Sequence, residues 1–151
     1  MILVLDFGGQ YNQLIARRVR ENNVYCEVHT SLPIEKIREL KPEGIILTGG
    51  PQSVYKNDSL LPPLEIFNLG VPILGICYGA QAMAKILGGE VKSAAVSEYG
   101  NTKLELIGES KLFVGVEKKS VVWMSHTDRI FSAPENFIVT AATENCPIAA
   151  M

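Results

Sequence analysis

The sequence predicts an α/β fold, an open and mostly parallel sheet flanked by helices, with an antiparallel flank in the second half. Three observations carry this prediction. Short apolar runs alternate with helix-period segments as far as Gly88-Gly89, the rhythm of strand–helix–strand units with right-handed crossovers. Glycine-bearing turns, Gly8-Gly9, Gly49-Gly50 and Gly75 to Gly79, follow three of the apolar runs. After them the period shortens to two: Thr102, Leu104 and Leu106 alternate with Lys103 and Glu105, as in a half-exposed strand.

Each element has its own justification. Ile2 to Leu5 is an apolar run broken by Gly8-Gly9, and Tyr11 to Glu21 carries Leu14, Ile15 and Val19 as its inner helical face. Asn22-Asn23 ends that helix, and Tyr25 to Val28 is the second strand. Pro33 suits the first position of a second helix whose inner face is Ile34, Ile37 and Leu40. Gly44 to Leu47 is apolar on both faces, as a strand inside a parallel sheet must be. Gln52 to Leu61 reads as a polar loop, and Pro62-Pro63 opens a short helix through Asn68. Ile73-Leu74 is the fourth strand, followed by a helix over Ala80 to Leu87 that Gly88-Gly89 closes. Val121 to Met124 and Phe137 to Ala141 add strands, and Ser125-His126-Thr127-Asp128 forms a loop at the end of the first of these. The arrangement expected is three-layered and flavodoxin-like. Pro147 to Met151 reads as the opening of one more strand, so residues 1–151 are expected to form one domain that is incomplete at its C-terminus.

Composition narrows the function. Hydrophobic residues make up 47% of the chain and charged residues 20%, which suits a globular core. A net charge of −2 gives no electrostatic reason to expect nucleic acid or an acidic membrane surface. No apolar run approaches the ~20 residues of a membrane span. Ile2 to Leu5 has no basic region before it and reads as a strand, not a signal peptide, so a cytoplasmic protein is expected. The three cysteines, Cys26, Cys77 and Cys146, are widely spaced, which argues against a disulfide framework, and no CxxC pair suggests zinc. Cys26, in a strand-like run, and Cys146, before Pro147, read as small buried apolar residues.

Cys77 differs because of its setting. It stands in Gly75-Ile76-Cys77-Tyr78-Gly79, between an apolar strand and a helix, the cysteine counterpart of a strained nucleophile elbow. Ligands of parallel sheets bind beyond the carboxyl ends of the strands, where Cys77, Gly49-Gly50 and Gly8-Gly9 all belong. A thiolate is the attacking species, so such a site has to draw down a thiol pKa of ~8.5, and the helix N-terminus helps. The backbone N–H of Tyr78 can donate to a tetrahedral oxyanion, and Gly50 is placed to supply a second donor. Gln81 lies one helical turn beyond Cys77, where its amide could hold the polar end of a substrate or simply be solvated. His29 ends the second strand and is expected at the surface. His126 is open between two roles, a general base oriented by Asp128 and a loop residue contacting substrate or structure.

With these residues in view, Gly75-Ile76-Cys77-Tyr78-Gly79-Ala80-Gln81 and the upstream Leu47-Thr48-Gly49-Gly50-Pro51 resemble the class I, triad-type, glutamine amidotransferases. Within that family Asp6 to Tyr11, Gly49 to Val54 and Trp123 to Asp128 resemble the glutaminase part of GMP synthetases. The resemblance covers essentially the whole chain. It implies hydrolysis of glutamine to glutamate and ammonia, with Cys77 forming a glutamyl thioester and the N–H groups of Gly50 and Tyr78 forming the oxyanion hole. It assigns Gln81, Ser125 and His126 to substrate binding, which moves His126 away from the role of base, and gives Asp128 to the same loop or to a partner contact. It implies no cofactor and no metal in this chain. ATP and magnesium would belong to an ATP-pyrophosphatase synthetase partner that uses the ammonia to aminate adenylylated XMP.

One family feature is missing. The base and its orienting carboxylate lie in a His-Pro-Glu motif, and the only Pro-Glu pairs here, Pro42-Glu43 and Pro134-Glu135, follow Lys41 and Ala133. The triad histidine and glutamate are therefore expected after Met151, and residues 1–151 alone are expected to be inactive. Two other readings remain: the glutaminase of another pathway, such as anthranilate or carbamoyl phosphate synthesis, and a non-catalytic regulatory or partner-binding module. The segment Trp123 to Asp128 argues against the first.

Overall fold

A strand buried on both faces needs apolar side chains at successive positions, and two segments of the N-terminal half supply them. In the computed structural model, which describes residues 1–151, β1 (Ile2–Leu5) and β3 (Gly44–Leu47) form the centre of a four-stranded parallel sheet. Leu3, Val4, Leu5, Ile45 and Leu47 are all buried, and full burial of such a side chain contributes about 1.5–3 kcal/mol. β2 (Cys26–His29) and β4 (Ile73–Gly75) complete the sheet in the order β2-β1-β3-β4. Ile2 aligns with both Cys26 and Gly44, and Leu47 aligns with Gly75. The chain divides into two units, Met1–Met83 and Ala84–Met151, and this sheet belongs to the first.

Helix α1 (Asn12–Glu21) packs Ile15, Ala16 and Val19 against Val4, Cys26, Val28 and Ile46. The inward stripe is thus Asn12, Ile15, Ala16 and Val19, the i, i+3, i+4, i+7 set of a helix. Leu14, expected on that face, is 44% exposed because it lies one residue off the stripe. Helix α2 (Ile34–Leu40) buries Ile37. Pro33 precedes it as an extended N-cap and is not its first helical residue. The segment after Pro63 is a 3₁₀ turn, Leu64–Asn68, anchored by buried Ile66. Helix α3 (Tyr78–Ile86) follows β4 directly.

The antiparallel part expected of the second half is present as a separate sheet in the second unit. β5 (Glu90–Leu106), β6 (Lys119–Ser132) and β7 (Ala141–Ala142) lie in the order β6-β5-β7. The expected strand at Thr102 to Leu106 is the last part of a 17-residue strand. Its first part alternates poorly in polarity, since cross-strand pairing and not burial holds it extended. The register slips between Ser93↔Asp128 and Glu98↔His126, so residues 94–97 bulge opposite Thr127 alone. β6 runs on through Ser132, which places Ser125, His126 and Asp128 inside a strand and not in a loop. Phe137 to Thr140 are not a strand: Phe137 N–H closes a turn onto Pro134 O, and cross-strand hydrogen bonding resumes at Thr140, just before β7. Of Pro147 to Met151, Ala150 bridges to Ala141, and Ala149 N–H also donates to Ala141 O. No helix is long and apolar enough to cross a membrane.

Candidate active site: a cysteine elbow

Three hydrogen bonds bend the chain between β4 and α3. Ile76 N–H donates to Leu47 O at 2.9 Å, Gly79 N–H to Thr48 O at 2.9 Å, and Gln81 N–H to Cys77 O at 3.1 Å. Cys77, caught between them, has φ +53°, a left-handed conformation that costs a non-glycine residue of order 1–3 kcal/mol. Glycine is required at position 79 because α3 begins against the end of β3, where a Cβ would collide with the Leu47 carbonyl. The thiol of Cys77 is exposed at the carboxyl rim of the sheet.

The same rim gathers the turns after β1 and β3. Phe7 N–H donates to Thr48 Oγ1 at 3.2 Å and Thr48 N–H to Leu5 O at 3.1 Å. Asp6 Oδ1 accepts from Gly8 N–H and from Asn12 Nδ2. A Cβ on Gly50 would lie 2.6 Å from Phe7 O, and a Cβ on Gly49 would stand 3.7 Å from Cys77 Cβ. The Gly49-Gly50 turn therefore passes beside Cys77 at Gly49 and lies tight against Phe7 at Gly50, where only a residue without a side chain fits. Gln81 sits one turn into α3 and is 8% exposed. It is a buried residue and not a solvated one.

Tyr78, beside Cys77, is a structural anchor as well as a donor. Its ring is 1% exposed and packs on Phe7 at a centroid distance of 5.3 Å. Its hydroxyl donates to Leu60 O at 2.8 Å, which fastens the far end of the 52–61 loop to the elbow. Val54, within that loop, is fully buried. Burial pushes the Tyr78 phenol up, with Asp58 adding to it and Ser59 opposing it.

Two effects act on the Cys77 thiol. Partial loss of hydration among surrounding atoms pushes its pKa up, even though part of the side chain is exposed, and a hydrogen bond from the Tyr78 N–H pulls it down. No cation contributes. His29 lies on β2, three strand spacings from β4, or about 14 Å, and its Nε2 is 3.0 Å from Glu27 Oε2.

His126 belongs to the second unit, and both its nitrogens are engaged there. Nδ1 meets the main-chain carbonyl of Asp128 at 3.1 Å, and Nε2 meets Glu98 Oε2 at 3.0 Å. The other oxygen of Glu98 accepts from Thr143 Oγ1 at 2.6 Å. The carboxylate that orients the ring is therefore Glu98, which sequence reasoning missed. The pairing depends on the register slip in β5, which shows in no local pattern. Ser125 pairs with Tyr99 and is exposed. Successive strand residues point to opposite faces, so the side chains of Ser125 and His126 diverge. Cys146 is buried, and its thiol is pushed up by burial first and by Glu98 second.

The profile of the family described as "Glutamine amidotransferase class-I" matches residues 3–151. The chain is 60% identical over its full length to a GMP synthase [glutamine-hydrolyzing] of Clostridium botulinum (strain Eklund 17B / Type B), and 59% to that of Clostridium perfringens (strain 13 / Type A). It spans about 30% of the length of these relatives. The crystal structure of a protein provisionally assigned as one chain of a GMP synthase from Thermoplasma acidophilum superposes with a TM-score of 0.82 at 30% identity. That match covers 97% of this chain and 74% of the other. With a cysteine elbow at the carboxyl edge of a parallel sheet and a family match over nearly its whole length, the chain belongs to the class I glutamine amidotransferases.

Proposed function

We propose that the chain is the glutaminase component of a GMP synthetase, releasing ammonia from glutamine for a synthetase partner. The observation that carries this reading is Cys77 held at φ +53° with the Tyr78 N–H on its sulfur and the Gly49-Gly50 turn beside it. In the reaction, the Cys77 thiolate attacks the side-chain amide carbon of glutamine and forms a C–S bond. The N–H groups of Tyr78 and Gly50 stabilise the oxyanion. The C–N bond then breaks, the nitrogen takes up a proton and leaves as ammonia, and a glutamyl thioester remains. Water hydrolyses the thioester to glutamate and regenerates the thiol. Gln81 contacts the substrate from the first turn of α3.

The Ser125–His126 segment is assigned to the amino-acid end of glutamine. Since the imidazole is bonded on both sides, its part is to hold the strand in place and not to accept the Cys77 proton. ATP and magnesium would act on the synthetase partner, where adenylylated XMP is aminated. Support for the GMP branch comes from the two relatives near 60% identity, both GMP synthases. With no His-Pro-Glu motif to supply a base, residues 1–151 by themselves should turn over glutamine negligibly.

The test is incubation with a glutamine-like electrophile, 6-diazo-5-oxonorleucine, followed by peptide mass spectrometry. A single adduct on Cys77, suppressed by glutamine, is expected. Labelling of Cys26 or Cys146 instead, or no protection by glutamine in a folded sample, would overturn the assignment. Ammonia transfer is tested by adding a GMP synthetase lacking its own glutaminase and measuring glutamine-dependent GMP formation.

A further inference from the structure

We infer that Glu98, His126 and Cys146 form a binding site for a borderline-soft divalent cation of the zinc class. This goes beyond the glutaminase reading and does not depend on it. Each residue offers one donor atom, and the three atoms lie within 4.8 Å of one another. Ligands placed tetrahedrally at zinc bond lengths stand about 3.3–3.8 Å apart, so only a small inward movement separates this arrangement from a coordination sphere. The nitrogen, oxygen and sulfur set suits zinc or cobalt and excludes magnesium and calcium, which take oxygen ligands.

The surroundings favour the same conclusion. A metal-bound histidine normally donates its other ring N–H to a carbonyl or carboxylate. Here Nδ1 faces Asp128 O at 3.1 Å, which leaves Nε2 for the ion. Nε2 faces a carboxylate oxygen at 3.0 Å, so either the hydrogen of an Nε2–H or a metal ion has to lie between the two electron-rich atoms. Thr143 holds both remaining ligands in place. Its hydroxyl donates to Glu98 Oε1 at 2.6 Å and accepts from Cys146 N–H at 2.9 Å.

Binding would replace the Glu98–His126 hydrogen bond and the contact of Cys146 Sγ with Ile148 O. The cysteine binds as thiolate and releases its proton. The ion would tie together β5, β6 and the turn that ends at Cys146, three segments with no shared sequence motif.

Cobalt(II) titration tests this. The wild-type chain should bind one cobalt ion with a near-ultraviolet thiolate-to-cobalt charge-transfer band that added zinc abolishes. Cys146→Ser should lose the band while Cys77→Ser keeps it, and Thr143→Val should weaken cobalt binding by about 10–100-fold. A second measurement needs no variant: in the wild-type chain zinc should protect Cys146, and not Cys77, from maleimide. The absence of a saturable band, a band that survives Cys146→Ser, or zinc protection confined to Cys77 would each overturn the inference.

Discussion

Gly79 N–H lies 2.9 Å from Thr48 O, so the first turn of α3 is bonded to the exit of β3. This contact sets the position of Cys77, two residues earlier. Gly79→Ala would drive a Cβ into the Leu47 carbonyl. Overpacking of this kind costs about 1–3 kcal/mol. The expected result is a lower urea midpoint with an unchanged m-value, together with slower labelling of Cys77 by a glutamine-like electrophile. Normal labelling at reduced stability would separate the elbow geometry from this contact.

Tyr78→Phe tests the loop anchor apart from the elbow. The Phe7 ring contact survives and the hydrogen bond to Leu60 O is lost. A net loss of about 0.5–1.5 kcal/mol is expected. The larger effect should be local, because the 52–61 loop loses its fastening at one end. Limited proteolysis should cut this loop faster in the variant, while thiol labelling of Cys77 changes little, since the donor at its sulfur is the backbone N–H.

The pH dependence of Cys77 follows from the upward push on its thiol. Its alkylation rate should rise through a midpoint above that of an ordinary thiol, about 8.5. In the unfolded chain the thiol ionises first, so over that window the folded state binds more protons. Stability should therefore be unaffected by this group below the ordinary thiol pKa and should fall as the pH rises through and above it. Cys77→Ser should remove that part of the alkaline loss. An alkylation midpoint below that of a free thiol would mean that a cation or base already acts on Cys77.

Legibility in the sequence depended on which force fixed each element. The parallel sheet could be read because burial on both faces leaves apolar runs such as Gly44 to Leu47, and the elbow because Gly75 and Gly79 bracket Cys77. The second unit could not be read as well. Much of β5 is held by cross-strand pairing and leaves little periodicity, and Ser125-His126 resembled a loop because polar residues continue a strand whose pairing register slips nearby. Glu98 was invisible for the same reason: its partner lies 28 residues away and is found only through that register.

The Glu98–His126 pair makes the last prediction. Glu98 has 3% side-chain exposure and both carboxylate oxygens are bonded. Removing one partner leaves a buried polar group without its match, which typically costs about 1–3 kcal/mol. His126→Ala and Glu98→Ala should therefore each be destabilising in metal-free buffer, and the double variant should cost less than the sum of the two. Contacting buried pairs show coupling of about 0.5–3 kcal/mol. Urea unfolding of the four proteins gives this number directly. Additive losses would mean that the two side chains are stabilised independently, and that Thr143 and the Asp128 carbonyl, not each other, hold them in place.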